Sequence, residues 1–186
     1  MGNCEDSLAS RALDCGCGFE TGSVCSSLSE QWFRYADSKI SDANRLWMGQ
    51  LPHCVSFQLG SLRFCVVRGG VERINRFFFA STPAAEKAAE LSLLDQDIDG
   101  LIAGHCRIPF GQLIEGRAWL NAGVIGFPAN DGTPDGWYLL IDTVDDMMRA
   151  WSAVMLTRSS ADSGRVRMSC PASKEVSAVK LWRLNP

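Results

Sequence analysis

The chain has 186 residues, 46% hydrophobic and 21% charged, a balance that fits one globular domain with a sizeable core and excludes a disordered or fibrous protein. Its 18 Lys and Arg against 21 Asp and Glu give a formal charge of −3, and the basic residues are scattered, so neither a nucleic-acid backbone nor an anionic membrane is an expected partner. No apolar run approaches the roughly 20 residues that span a bilayer, and no basic segment precedes an apolar one at the start, which predicts a cytoplasmic protein.

Met1 to Ser26 is rich in Gly, Ser and Cys and predicts a loop with a short helical piece at Ser7–Leu13. Asp6 stands where an acylation signal wants Ser or Thr, so lipidation is not expected. A helix follows, opened by Ser27 and Glu30 at capping-box spacing and carried by Trp32, Phe33, Ala36, Ile40, Ala43 and Trp47 as far as Leu51-Pro52. Cys54–Leu59 and Leu62–Val67, joined by Gly60-Ser61, predict a β-hairpin. Thr82-Pro83 starts a helix that runs to Leu94. Ile98–Ala103, Ala118–Ile125 and Trp137–Ile141 read as buried strands. Thr143 with Asp146 predicts a helix to about Leu156, Ser159–Ser173 a loop, and Val176–Leu184 an edge strand.

Three segments form an ordered set: Gly2-Asn3-Cys4-Glu5, Gly104-His105-Cys106-Arg107-Ile108-Pro109-Phe110 and Asn121-Ala122-Gly123-Val124-Ile125-Gly126, with Val67-Arg68-Gly69-Gly70 between the first two and Ala129-Asn130-Asp131-Gly132 after the third. The order resembles the C-terminal part of the calcineurin-like metallophosphoesterases, over Gly2 to Asp142. In that family Gly-Asn-His-Asp/Glu is followed by Val-His-Gly, then Gly-His-x-His-x-Pro, then Asn-x-Gly-Ser-x-Gly. The resemblance implies an α/β fold, a partial four-layer αββα sandwich with mixed sheets. It also implies hydrolysis of phosphate mono- or diesters by a water that two divalent ions, such as Mn, Fe, Zn or Mg, bridge and activate.

By the same resemblance Asn3 and His105 match metal ligands. Cys4 stands where a His would contact phosphate, and Arg68 and Arg107 stand where two ligand histidines would be. An arginine cannot give up its proton to ligate a cation, and its charge opposes a dimetal centre. The family's opening Asp-x-His and Gly-Asp-x-x-Asp do not precede Asn3, so the expectation is a truncated or degenerate member, inactive as this chain. No residue is assigned a catalytic role. Asn3 also reads as a turn residue, His105 as a loop cap, and Arg68 and Arg107 as solvated loop arginines. Asn121, Gly123 and Gly126 shape backbone under either reading.

Two alternatives stay open. Arg68 and Arg107 could form an anion pocket, because guanidinium groups bind phosphate bidentately, in a non-catalytic phosphate-binding or interaction module. Cys15, Cys17 and Cys25, with Cys4 nearby, could build a structural metal site, although their spacing is not that of a zinc knuckle. The eight cysteines are otherwise expected as reduced thiols. Phe77, Phe78 and Phe79 read as core or interface material, and unpaired sheet edges suggest self-association. Residues 1–142 are taken as the metallophosphoesterase-like domain and 143–186 as a C-terminal helix and tail.

Overall fold

The computed structural model describes residues 1–123, 136–144 and 147–156. Within them the chain is mixed α/β, in the order α1 (Asn3–Ala9), α2 (Val24–Lys39), α3 (Asp42–Gly49), β1 (Cys54–Leu59), β2 (Leu62–Val67), α4 (Ala84–Leu91), β3 (Gly100–Ala103), β4 (Phe110–Ile114), β5 (Arg117–Asn121), β6 (Gly136–Val144) and β7 (Met147–Leu156). The first helix begins at Asn3, four residues before the predicted piece. The long helix predicted up to Leu51 is two helices, because serines cap both. Ser23 Oγ accepts from the Ser26 N–H, and Ser41 Oγ from the Asn44 N–H, so the chain restarts at Ser41 after the extended Ile40.

β1 to β5 form one sheet in the order β1-β2-β3-β5-β4. The predicted hairpin is present, with Gly60 at φ 61° in its turn and Leu59 opposite Leu62. β2, β3 and β5 are parallel neighbours, so their C-terminal ends at Val67, Ala103 and Asn121 share one rim. β4 pairs antiparallel with β5 through a turn at Glu115 and Gly116, both at positive φ.

Alternation along β2 and β5 makes two cores, one on each face of this sheet. Cys65, Val67, Leu101 and Trp119 face α4, where they meet Leu91 and the partly buried Ala88 and Leu94. Phe64, Ala118 and Leu120 face the other way, against Leu139 and Ile141 of β6. Each fully buried Leu or Phe contributes about 1.5–3 kcal/mol from apolar burial alone. β6 pairs antiparallel with β7 in a separate two-stranded sheet. Met147–Leu156, expected as a helix, is therefore a strand, because pairing with β6 satisfies its backbone. The C-terminal loop and the edge strand at Val176–Leu184 lie outside the described residues.

A third cluster packs Leu8, Cys15 and Phe33 between the first three helices. The buried Arg45 ties these helices together by donating to the Leu8 carbonyl at 2.6 Å and to the Asp37 carbonyl at 2.5 Å, with Asp37 Oδ1 at 2.7 Å. Contrary to the expectation of reduced thiols, Cys15 is bonded to Cys17 and Cys54 to Cys65. Among the described residues no helix is long and apolar enough to cross a membrane.

Candidate functional site

The rim formed by the ends of β2 and β3 carries Arg68 and the Gly104–Arg107 loop, and α1 brings Asn3, Cys4 and Glu5 to it. Ligands of parallel α/β sheets gather outside the carboxyl ends of the strands for the same reason, since the loops there are free to carry chemistry. The Gly104 N–H donates to the Arg68 carbonyl at 3.1 Å, which locks the two loops together. A carbon added at Gly2 would lie 3.4 Å from Arg68 Cδ, and one added at Gly104 would lie 3.6 Å from Arg68 Nη1. The guanidinium is thus held between the segment that starts at Gly2 and the one that starts at Gly104.

Gly69 leaves no room for any side chain. A Cβ there would sit 2.6 Å from the Arg76 carbonyl oxygen, 2.7 Å from that of Ile74 and 3.3 Å from His105 Cβ. Glu90 pins the same loop from below, accepting from the Val71 N–H at 2.6 Å and the Glu72 N–H at 3.0 Å. On the other side Asn121 Nδ2 donates to the Gly104 carbonyl at 2.6 Å, while its Oδ1 accepts from the N–H of Gly123, which sits at φ 72°. His105 and Arg107 themselves adopt φ of 43° and 68°, a left-handed conformation costly for non-glycine residues that this framework sustains.

His105 is 4% exposed and Asn3 3%. Phe77 stacks on the imidazole with centroids 4.3 Å apart, and neither ring nitrogen closes a regular hydrogen bond among the described residues. Burial, then the charge of Arg68, brings the His105 pKa down to about 4; Arg107 adds to the fall, and the nearby backbone of Cys17 and Asn75 offsets part of it. The imidazole is neutral near pH 7. Asn3 Nδ2 donates to the Cys15 carbonyl at 2.8 Å and lies 3.3 Å from Cys17 Sγ, leaving Oδ1 buried without a partner among the described residues.

Cys4 feels the opposing pulls of this site. Burial raises its pKa and Glu5 raises it further, while Arg68 and Arg107 act to lower it. The Cys106 thiol is also raised by burial, with Arg68 acting against the rise. Burial likewise disfavours the Arg68 charge, and Cys4 and Glu5 compensate in part. Asn3, Cys4, Arg68, His105 and Arg107 therefore belong to one electrostatic unit.

A two-metal centre needs several anionic or neutral donors around each ion. The unpartnered Asn3 Oδ1 and His105 nitrogens suit a cation; the charges of Arg68 and Arg107 beside them do not. Among the described residues no group of three or more His, Cys, Asp or Glu comes together. The described residues do not fit a dimetal centre. The cysteine alternative fares no better, because Cys25 is exposed on α2 and Cys15–Cys17 forms a wall beside Asn3 and His105. Sequence reasoning missed the stacking of Phe77 on His105, the side-chain bonds of Asn121 and the loop-holding Glu90. Only the run of phenylalanines after Arg76 signalled any of them.

No protein-family model matches the chain, and no curated protein sequence matches it. In three dimensions it is similar to hypothetical protein PH1004 from Pyrococcus horikoshii OT3, at 16% identity and TM-score 0.60, over 86% of this chain and 62% of that one. That likeness shows the fold, and the chain spans about three fifths of the Pyrococcus protein. Other similar structures include a metallophosphoesterase from Sphaerobacter thermophilus, at 16% identity and TM-score 0.47 over 74% of this chain and 58% of that one. Vps29 complexed with Zn from Entamoeba histolytica is also similar, at 18% identity and TM-score 0.41 over 61% and 58%.

Proposed function

We propose that this chain is a phosphate-binding member of the metallophosphoesterase type, in which two guanidinium groups hold the phosphoryl oxygens that metal ions hold elsewhere. The observation that carries this reading is the packing of the Arg68 side chain between Gly2 and Gly104, on the rim where the Gly104–Arg107 loop leaves β3, so that the charges of Arg68 and Arg107 both bear on Cys4 and His105. The two arginine segments lie far apart in sequence, at the ends of β2 and β3 of one sheet. A guanidinium presents several N–H donors in a plane and matches phosphate oxygens bidentately. The neutral His105 and the Asn3 amide stand beside them as polar groups able to meet a ligand.

The second reading is a metal-dependent phosphoesterase, favoured by the unpartnered Asn3 Oδ1 and His105 nitrogens. Hydrolysis of an aryl phosphate with and without added Mn²⁺ separates the two. The anion-site reading expects rates no greater than the buffer blank in both conditions; metal-dependent turnover that His105→Ala abolishes would overturn it in favour of the hydrolase.

A further inference from the structure

The three consecutive phenylalanines divide their work. Phe78 is 2% exposed and enters the core, its ring 4.7 Å from that of Trp119. Phe77 is partly buried against the same core, lies parallel to Phe79 within 3° at 6.1 Å, and stacks on His105. Phe19, from the loop before α2, joins them 6.0 Å from Phe77. The Arg107 guanidinium lies 5.4 Å from the Phe19 ring centre. One edge of the cationic site is therefore built of three phenyl rings, of which Phe79 is 37% exposed while Phe19 and Phe77 are half-buried.

Phe19 also lines a cavity of about 420 Å³ whose other walls include Thr21, Ser26, Ser29, Glu30 and Asn75. Hydroxyls, an amide and the carboxylates of Asp14 and Glu30 surround this space, and no Lys or Arg is among its lining residues. A phosphoryl group belongs with the arginines, so what the cavity and the phenyl rings suit is the neutral, hydrogen-bonding remainder of a ligand. Charge complementarity fixes the order of the two halves. We propose that the site takes a phosphate monoester carrying a flat aromatic ring, a nucleoside monophosphate being the simplest example, with its phosphate at Arg68 and Arg107 and its ring on the Phe19–Phe77–Phe79 surface.

The proposal rests on the anion-site reading and adds the identity of the ester's other half. Stacking needs no sequence of bases and no basic track, which accords with a net charge of −3 and scattered basic residues.

Titration calorimetry with inorganic phosphate, ribose 5-phosphate and AMP on the same chain tests it. One base on an aromatic platform is worth about a five- to hundredfold gain in affinity, so AMP is expected to bind tighter than ribose 5-phosphate by that factor. Phe79→Ala, at an exposed position, should remove the gain and leave phosphate affinity unchanged, and Arg107→Gln should weaken all three ligands. Equal affinities for AMP and ribose 5-phosphate, with phosphate still bound, would overturn the aromatic half alone. Failure of all three ligands to bind would overturn the anion site and this proposal together.

Discussion

The His105 imidazole lies under the Phe77 ring at a centroid distance of 4.3 Å and within the field of Arg68, which fixes it as a neutral group inside a cationic site. Protonation would put a third positive charge into a space that already holds two guanidinium groups. This one relationship sets how the site responds to pH.

With its folded pKa near 4 against an ordinary 6.5, His105 stays neutral in the folded chain while the unfolded chain takes up a proton. The unfolded state thus binds more protons between these values, and the stability of the folded chain rises with pH across the window. The contribution is complete above about pH 6.5 and is lost as pH falls toward 4, amounting to at most about 3 kcal/mol. Urea unfolding at pH 7 and at pH 4.5 should show the loss, and His105→Phe should shrink the difference. His105 ring resonances that titrate near pH 6.5 would contradict the assignment.

Gly69→Ala should be costly, because its Cβ would press on the backbone oxygens of Arg76 and Ile74, which cannot swing aside as a side chain can. A loss of about 1–3 kcal/mol is expected in chemical unfolding. The displaced loop also backs His105, so phosphate affinity should fall with stability. Wild-type stability in this variant would show that the loop is held more loosely than its contacts imply.

β1 has a strand partner on one side only among the described residues, and Cys54–Leu59 contains no charged residue. Val55 is 50% exposed on it. Such an edge invites pairing with a second copy, and a lysine blunts it by charge. Sedimentation velocity should show concentration-dependent association of the wild-type chain and its reduction in Val55→Lys. A chain that remains monomeric at every concentration would remove the edge as an association surface.

Much of the sheet was legible where local chemistry decides structure. Gly60-Ser61 between two apolar runs gave the hairpin, and Thr82-Pro83 marked the start of α4, although the helix begins one residue later with Pro83 at the cap. Elements that depend on distant partners were less legible. The apolar residues of Met147–Leu156 suit either period, and the Thr143/Asp146 pair looks like a cap, so only the ladder with β6 decides for a strand. β4 escaped notice because Phe110 closes a motif and Glu115-Gly116 is a weaker turn signal than Asn-Gly. At the site, the ordered motifs singled out Asn3, Arg68, His105 and Arg107 as candidates. They could not foretell that Phe77 would cover the imidazole or that Asn121 and Glu90 would brace the loops, since those contacts exist only once the sheet has formed.

The central claim is that this rim prefers an anion to a metal ion, and titrating the isotopically labelled chain with inorganic phosphate while following backbone and His105 resonances tests it most directly. The account predicts saturable shifts confined to Arg68, His105 and Arg107 and their neighbours, with a dissociation constant in the millimolar range, on the order of 4 kcal/mol, and their loss in an Arg68→Gln, Arg107→Gln double variant. Unchanged signals around all three residues up to tens of millimolar phosphate, with Mn²⁺ instead broadening the His105 signals at stoichiometric concentration, would contradict it.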